Sequence, residues 1–220
     1  MISTGDIDFQ WLGRLPYDQA LARQLDLAAN RRAGTVGDTV LLLEHDPVYT
    51  IGRTPDRSSL GPPEHPALPH PVVEISRGGQ ATYHGPGQLV GYLILDLKNR
   101  GADLHRYLRA IEDSLIAHAR SLGIAAERRE NLTGMWIGPR KLASIGVGVR
   151  HWISLHGFAL NVTPDSLIGF HSIVPCGLSG VEMTCLCSES GQPLTVEGVA
   201  TALRPFLADA LAILRESHGT

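Results

Sequence analysis

Apolar runs in this chain are short, frequent and interrupted, and that pattern limits the fold more than any other feature. Ile7 to Leu12, Thr39 to Leu43, Val72 to Ser76, Leu89 to Leu97, Met135 to Ile137, Ser144 to Arg150 and Ile153 to Asn161 have strand length and strand composition. Only three segments repeat apolar residues at helical spacing. The first follows Pro16, carries Ala20, Leu21, Leu25, Leu27 and Ala28, and ends before Gly34. The second runs from Leu104 through Tyr107, Leu108, Ile111, Leu115 and Ala119 to Leu122, with Asp103 as cap and Gly123 as stop. A third starts near Thr195 and carries Val199, Leu203, Phe206, Leu207 and Leu211; Pro205 inside it predicts a kink or a late start. Strands outnumber helices, strict βαβ alternation is absent and no fixed-period repeat occurs. The expectation is an α+β fold, a single domain over residues 1–220 with a mixed β-sheet flanked by helices.

Composition narrows the function classes. Hydrophobic residues are 43% and charged residues 19% of the 220, enough for a core and too little charge for a disordered chain. The net charge of −3 argues against a nucleic-acid partner. Three cysteines between Cys176 and Cys187 do not make a disulfide framework. The first residues show neither a basic nor an apolar leader region, and Leu89 to Leu95, which contains Gly91, is far too short to span a bilayer. A soluble protein of a reducing cytoplasm, with no membrane association, is the expectation. The Pro-rich stretch from Thr54 to Pro71 reads as a long loop of the kind that closes over sites.

Three segments are specified beyond what folding requires. Arg77-Gly78-Gly79-Gln80-Ala81-Thr82-Tyr83-His84-Gly85-Pro86-Gly87-Gln88 places four glycines among groups that hydrogen-bond, so the backbone can approach a ligand closely. The alternative is a glycine-rich hairpin whose polar residues face water. It is neither a dinucleotide fingerprint nor a P-loop. In Gly138 to Gly148, Lys141 opens an apolar run of small residues, in a protein with two lysines, Lys98 and Lys141, against seventeen arginines. Burial disfavours an ammonium charge, which is how a lysine becomes a base; a solvated lysine after a turn is the alternative. In Pro175-Cys176-Gly177, a cysteine sits on a constrained turn whose amides can face an oxyanion. Cys185 and Cys187 read as small hydrophobes, and no second ligand pair accompanies them, so no metal site is expected. Among the ten histidines, His84 and His156 are the better placed; His45, His151 and His171 have no evident partner. A cysteine nucleophile with a lysine base suggests acyl transfer through a thioester.

Together these stretches resemble the lipoyl(octanoyl) transferases of the biotin/lipoate protein ligase superfamily. The matching residues are His45-Asp46-Pro47-Val48-Tyr49-Thr50-Ile51-Gly52, Arg77 to Tyr92, Lys141 to Gly146, His156 to Val162 and Pro175-Cys176-Gly177, in family order over about residues 40 to 185. The resemblance implies the biotinyl/lipoyl protein ligase-like fold. It makes Cys176 the acyl-thioester nucleophile and Lys141 its pKa-lowering partner. It assigns substrate binding to Arg77, Gly78, Gly79, Gln80, Ala81, Thr82, Tyr83 and His84. Ser144, Ile145 and Gly146, with Gly157, Phe158 and Ala159, would line the acyl pocket. Gln80 and Ala81 occupy variable slots of the pattern. The implied donor is octanoyl-acyl carrier protein. The implied acceptors are lipoyl domains of 2-oxoacid dehydrogenase E2 subunits and the glycine cleavage H protein, with no cofactor and no metal.

An ATP-dependent lipoate or biotin ligase on the same fold is one rival; Cys176 and the Gly-Pro-Gly-Gln ending argue against it. An inert carrier- or lipoyl-domain binding module is another, against which Cys176 and Lys141 weigh. A papain-like peptidase lacks its Cys-Trp motif here. The carrier-docking surface should be basic, with Arg53, Arg57, Arg128, Arg129 and Arg140 as candidates, and a monomer is expected.

Overall fold

A computed structural model describes residues 7–53, 57–61, 68–174 and 180–216. The chain begins with β1 (Asp8–Leu15), α1 (Tyr17–Ala33), β2 (Thr39–His45), β3 (Val48–Ile51), β4 (Val72–Glu74), β5 (Thr82–His84) and β6 (Gln88–Ile94). It continues through α2 (Leu104–Ser121), β7 (Glu127–Arg129), β8 (Leu132–Ile137), β9 (Arg140–Arg150) and β10 (Ile153–Asn161). A 3-10 segment over Pro164–Ser172 follows, then β11 (Glu182–Met183), α3 (Leu186–Ser190) and α4 (Val196–Glu216). The large sheet has the order β1-β2-β6-β10-β9-β8-β7, with β11 beside β9; a small sheet runs β4-β3-β5. Both are mixed: β1–β2, β9–β11 and β3–β4 are parallel and the other pairs antiparallel.

The middle strands are apolar on both sides because both sides are covered. Along β2, Val40 and Leu42 join the cluster beneath α2 and α4, while Leu41 and Leu43 join the cluster beneath α1. Side chains alternate at period two, so a continuous apolar run serves two cores at once. Helix α2 caps on Asp103, which accepts the Arg106 N–H at 3.0 Å, and stops at the left-handed Gly123. Helix α4 continues through Pro205, so the late start foreseen there does not occur. In α1 the expected apolar stripe holds except at Leu25, which is 49% exposed: Ala20 is buried, Leu21, Leu27 and Ala28 pack against the core, and the helix also buries Tyr17 and Gln24. Gln24 is inside because its Oε1 accepts the backbone N–H of His156, whose φ of +59° takes that N–H out of the regular ladder.

Of the small sheet only β4 was foreseen, within Val72 to Ser76. β3 and β5 are four and three residues long and β5 is polar, so no periodic signal marks them. The small sheet carries the glycine-rich stretch across β9. A Cβ on Gly52 would stand 2.2 Å from the Gly79 oxygen, and one on Gly146 would stand 2.9 Å from Cδ of Arg77. Without a side chain at either glycine, the stretch can come this close to the end of β3 and to β9.

Asp38 ties the elements together just ahead of β2. Its carboxylate accepts from Arg31 Nε at 2.7 Å, Arg100 Nε at 2.9 Å and the Asp96 amide at 3.0 Å, while Arg100 also donates to the Leu211 carbonyl of α4. Burial alone would raise Asp38; the hydrogen bonds and the Arg100 charge outweigh it and hold the carboxyl below its usual range. Asp38→Ala leaves Arg100 buried without its counter-charge and is expected to cost about 3–5 kcal/mol in urea unfolding at pH 7. Because the native carboxyl is depressed, this gap persists above pH about 4 and closes as the pH falls through the native value.

Candidate active site

Between the sheets lies a cavity of about 460 Å3. Of the residues expected to form a site, Arg77, Gly78, Gly79, Gln80, Thr82, His84, Lys141, Ser144, Ile145, Gly146, Gly157, Phe158 and Ala159 all line it. They come from the glycine-rich stretch, β5, β9 and β10, adjacent in space because β9 pairs with β10, Gly146 opposite Gly157 and Ser144 opposite Ala159. Ala81 and Tyr83 are not brought to the cavity. They alternate with Thr82 along β5 and pack in a separate cluster with Tyr49, Phe170 and Ile173. Cys176 lies in 175–179, outside the described residues. The flanking residues are placed: the Val174 N–H donates to the Ser59 carbonyl at 2.9 Å, and β11 pairs with β9 with Met183 opposite Lys141. Of the long loop foreseen from Thr54 to Pro71, residues 54–56 and 62–67 also lie outside the described set, and Ser58–Leu60 form a 3-10 turn between them.

The cavity's cationic groups are Arg77 and Lys141, and no carboxylate is among its lining residues. Arg77 is 8% exposed, held by Nη2 donating to the Thr50 carbonyl at 2.9 Å and hydroxyl at 3.0 Å, and by Nη1 donating to the Gly78 carbonyl at 2.8 Å. Lys141 is 3% exposed, with Nζ 5.1 Å from the centre of the Trp136 ring; the Arg129 guanidinium also lies against that ring, at 5.0 Å. A face-on aromatic ring stabilises an ammonium electrostatically. Gly134 makes room for the lysine stem: a Cβ there would sit 3.1 Å from Lys141 Cε and 2.5 Å from the Ala143 oxygen.

Beneath Arg77 lies a floor of aromatic and imidazole rings, largely invisible in the sequence: Tyr17, His45, His84, Tyr92 and His156, with neighbouring centroids 5.1–6.3 Å apart. His45 donates from Nδ1 to the Leu15 carbonyl at 3.0 Å, leaving Nε2 to accept from the Tyr92 hydroxyl at 2.6 Å. His84 donates from Nδ1 to Gln88 Oε1 at 2.8 Å, leaving Nε2 to accept from Thr50. Burial dominates their protonation. It pushes His84 down to about 3, helped by His45 and Arg77; it pushes His156 to about 4, helped by Arg77 and Arg53. His45 also falls to about 4, against the pull of the Leu15 carbonyl and Asp46. Burial raises Tyr17 to about 12 and lifts Tyr92 well above its ordinary value. The floor is therefore uncharged near neutrality and places no anion beneath the cations above it.

What this arrangement can do is hold an apolar chain against small residues while two cations face an electron-rich carbonyl or carboxylate. Among the described residues no group of three potential metal ligands occurs, and no helix is long and apolar enough to cross a membrane.

Solved structures share this architecture. A bi-partite lipoate protein ligase from Thermoplasma acidophilum superposes with a TM-score of 0.68 at 17% identity, covering 94% of this chain and 84% of that one. Lipoate-protein ligase A bound with ATP gives 0.66 at 16% identity over 94% and 85%. The biotin protein ligase of Aquifex aeolicus gives 0.54 at 12% identity over 95% and 70%. The fold is that of the lipoate and biotin protein ligases. Within it, residues 16–208 match the lipoyl protein ligase A/B catalytic domain, and the chain belongs to that family. It is 50% identical over 201 residues to the octanoyltransferase of Geobacter metallireducens, covering 90% of this chain and 92% of that protein. It is 52% identical over 204 residues to that of Geobacter sulfurreducens (91% and 84%), and 52% identical over 174 residues to that of Synechococcus elongatus (77% and 73%).

The neutral floor predicts how stability varies with pH. Unfolded imidazoles take up protons as the pH falls through about 6.5, whereas His45, His84 and His156 stay neutral until near their native values. The unfolded state then binds more protons, so the unfolding free energy is expected to fall from about pH 6.5 downward. The slope approaches about 1.4 kcal/mol per pH unit for each of the three rings. Urea titrations at a series of pH values between 7.5 and 4.5 measure it, and a level profile contradicts a neutral floor.

Proposed function

We propose that this protein transfers an octanoyl group from octanoyl-acyl carrier protein to a lysine of lipoyl domains, through a thioester on Cys176. What carries the reading is the cavity: two buried cations, Arg77 and Lys141, beside small-residue strands, in a chain about half identical to octanoyltransferases. In the first step the Cys176 thiolate attacks the carbonyl of the donor thioester. A new C–S bond forms as the donor C–S bond breaks, and the carrier leaves as a thiol, taking its proton from the Lys141 ammonium, which is left as a neutral amine. In the second, the acceptor amine attacks the acyl-enzyme carbonyl, losing its proton to Lys141 as the C–N bond forms, and the Cys176 thiolate is released. Lys141 thus serves twice, lowering the thiol's pKa by its charge and moving the proton. Ser144, Ile145, Gly146, Gly157, Phe158 and Ala159 form the wall against which an apolar acyl chain lies. Lipoyl domains of 2-oxoacid dehydrogenases and the glycine cleavage H protein are the acceptors; the Thermoplasma ligase of the same fold is described as part of a lipoylation system with its E2 lipoyl domain.

The carrier-docking surface is narrower than the arginine count suggests. Arg57 pairs with Glu74, Arg128 with Glu112 and Asp113, and Arg140 with Glu189, so these guanidiniums are largely neutralised. Arg129 rests on Trp136.

The decisive measurement is intact-protein mass spectrometry after mixing with octanoyl-acyl carrier protein without ATP. One hydroxylamine-labile octanoyl adduct is expected, absent in Cys176→Ala, which should lose all turnover. Lys141→Ala should lower turnover by about 100-fold or more, in the range of a lost general base, with little change in melting temperature. Acceptor labelling that needs ATP and free octanoate would instead assign a ligase, and wild-type turnover by Cys176→Ala would exclude the thioester.

A further inference from the structure

The sequence matches include Gln88 and Asn161, yet neither lines the cavity and neither has a step in the reaction above. Both are buried at 1% exposure, among apolar neighbours on the two central strands, where an unpaired amide would be costly. Each is instead part of one hydrogen-bonded path. His84 Nδ1 donates to Gln88 Oε1 at 2.8 Å, Gln88 Nε2 donates to Asn161 Oδ1 at 3.0 Å, and Asn161 Nδ2 donates to the Thr184 carbonyl at 3.0 Å. The Thr184 amide in turn donates to the Lys141 carbonyl at 3.0 Å. The path starts at an imidazole on the cavity floor and ends on backbone that lies just downstream of Cys176 and alongside Lys141.

From this we infer that Asn161 is a positioning residue. Its carboxamide holds Thr184, and Thr184 in turn holds the backbone of Lys141, so the carboxamide sets the placement of Lys141 on which the proposed pairing with Cys176 depends. The inference rests on the pairing of Cys176 with Lys141 proposed above. A carboxamide is the group that can accept from Gln88 and donate to a carbonyl at the same time.

The test is the pH dependence of Cys176 alkylation by iodoacetamide on the full chain, resolved by peptide mass spectrometry from Cys185 and Cys187. A free thiol gives a midpoint near about 8.5. Wild type is expected below that, Lys141→Ala to move toward it, and Asn161→Ala to move at least half as far. Leu160→Ala, a core cavity of comparable destabilisation, is the control and should keep the wild-type midpoint while melting lower. If Lys141→Ala shifts the midpoint and Asn161→Ala does not, the positioning role is wrong and the pairing stands. A midpoint unmoved by Lys141→Ala removes the pairing and the positioning role with it. A shift in Leu160→Ala equal to that in Asn161→Ala reduces Asn161 to a structural part and overturns the inference. Should Asn161→Ala not fold, Gln88→Met, which removes the donor to Asn161 Oδ1 at similar size, takes its place and is read in the same way.

Discussion

The close approach of the glycine-rich stretch to the end of β3 on one side and to β9 on the other is the contact on which the rest of the site depends. A methyl group at Gly52 would overlap the Gly79 oxygen, and at Gly146 the large sheet receives the stem of Arg77. Beside it the Gly78 N–H donates to the Val147 carbonyl at 3.4 Å. Arg77 can then be buried with its guanidinium satisfied by Thr50 and Gly78, and it roofs the ring cluster below. Without that proximity Arg77 would lose its place above the rings, and with it the charge that adds to burial in holding His84 and His156 neutral.

Charge in the site is arranged by exclusion. The ionisable groups under Arg77 are imidazoles and phenols held neutral by burial. Three carboxylates with low exposure are engaged elsewhere: Asp38 at the junction of β2, α1 and α4, Glu112 with Arg109 and Arg128 behind β8, and Glu189 with Arg140 at the edge of β9. Glu112 also accepts the Gly134 N–H at 3.0 Å, which fixes the strand against which the Lys141 stem packs. Ion pairs that serve the fold thus leave the two cavity cations without a competing anion among the lining residues.

Elements whose signal is local were legible in the sequence. Asp103 and Gly123 bound α2, Gly34 ends α1, and the apolar runs of β2, β6 and β10 stand where their composition put them. What escaped is what neighbouring residues do not encode. Tyr17, His45 and Tyr92 come from a helix start and two different strands, and each alone reads as a core residue. Only the sheet order, with β6 between β2 and β10, brings them under Arg77 with His156. Recognising β5 would have separated Thr82 and His84 from Ala81 and Tyr83 by simple alternation, but three polar residues between glycines carry no period. Leu25 misled for the opposite reason, since helical spacing favours it while the backbone of His156 claims the neighbouring place for Gln24.

The buried path from Thr50 to Thr184 has a direction. With His84 neutral, the Thr50 hydroxyl gives to its Nε2, and every later donor also points toward Thr184. Each group can give in one sense only if the group before it does the same, so the hydrogens have a single consistent order. The path therefore behaves as one unit with one proton arrangement, fixed at its end by the Thr184 carbonyl, which can only accept, so turning any one amide breaks it. Its electron-rich beginning is the Thr50 oxygen that receives Arg77, which gives the polarity of the whole path a fixed sense: away from the guanidinium and toward the strand beside Lys141.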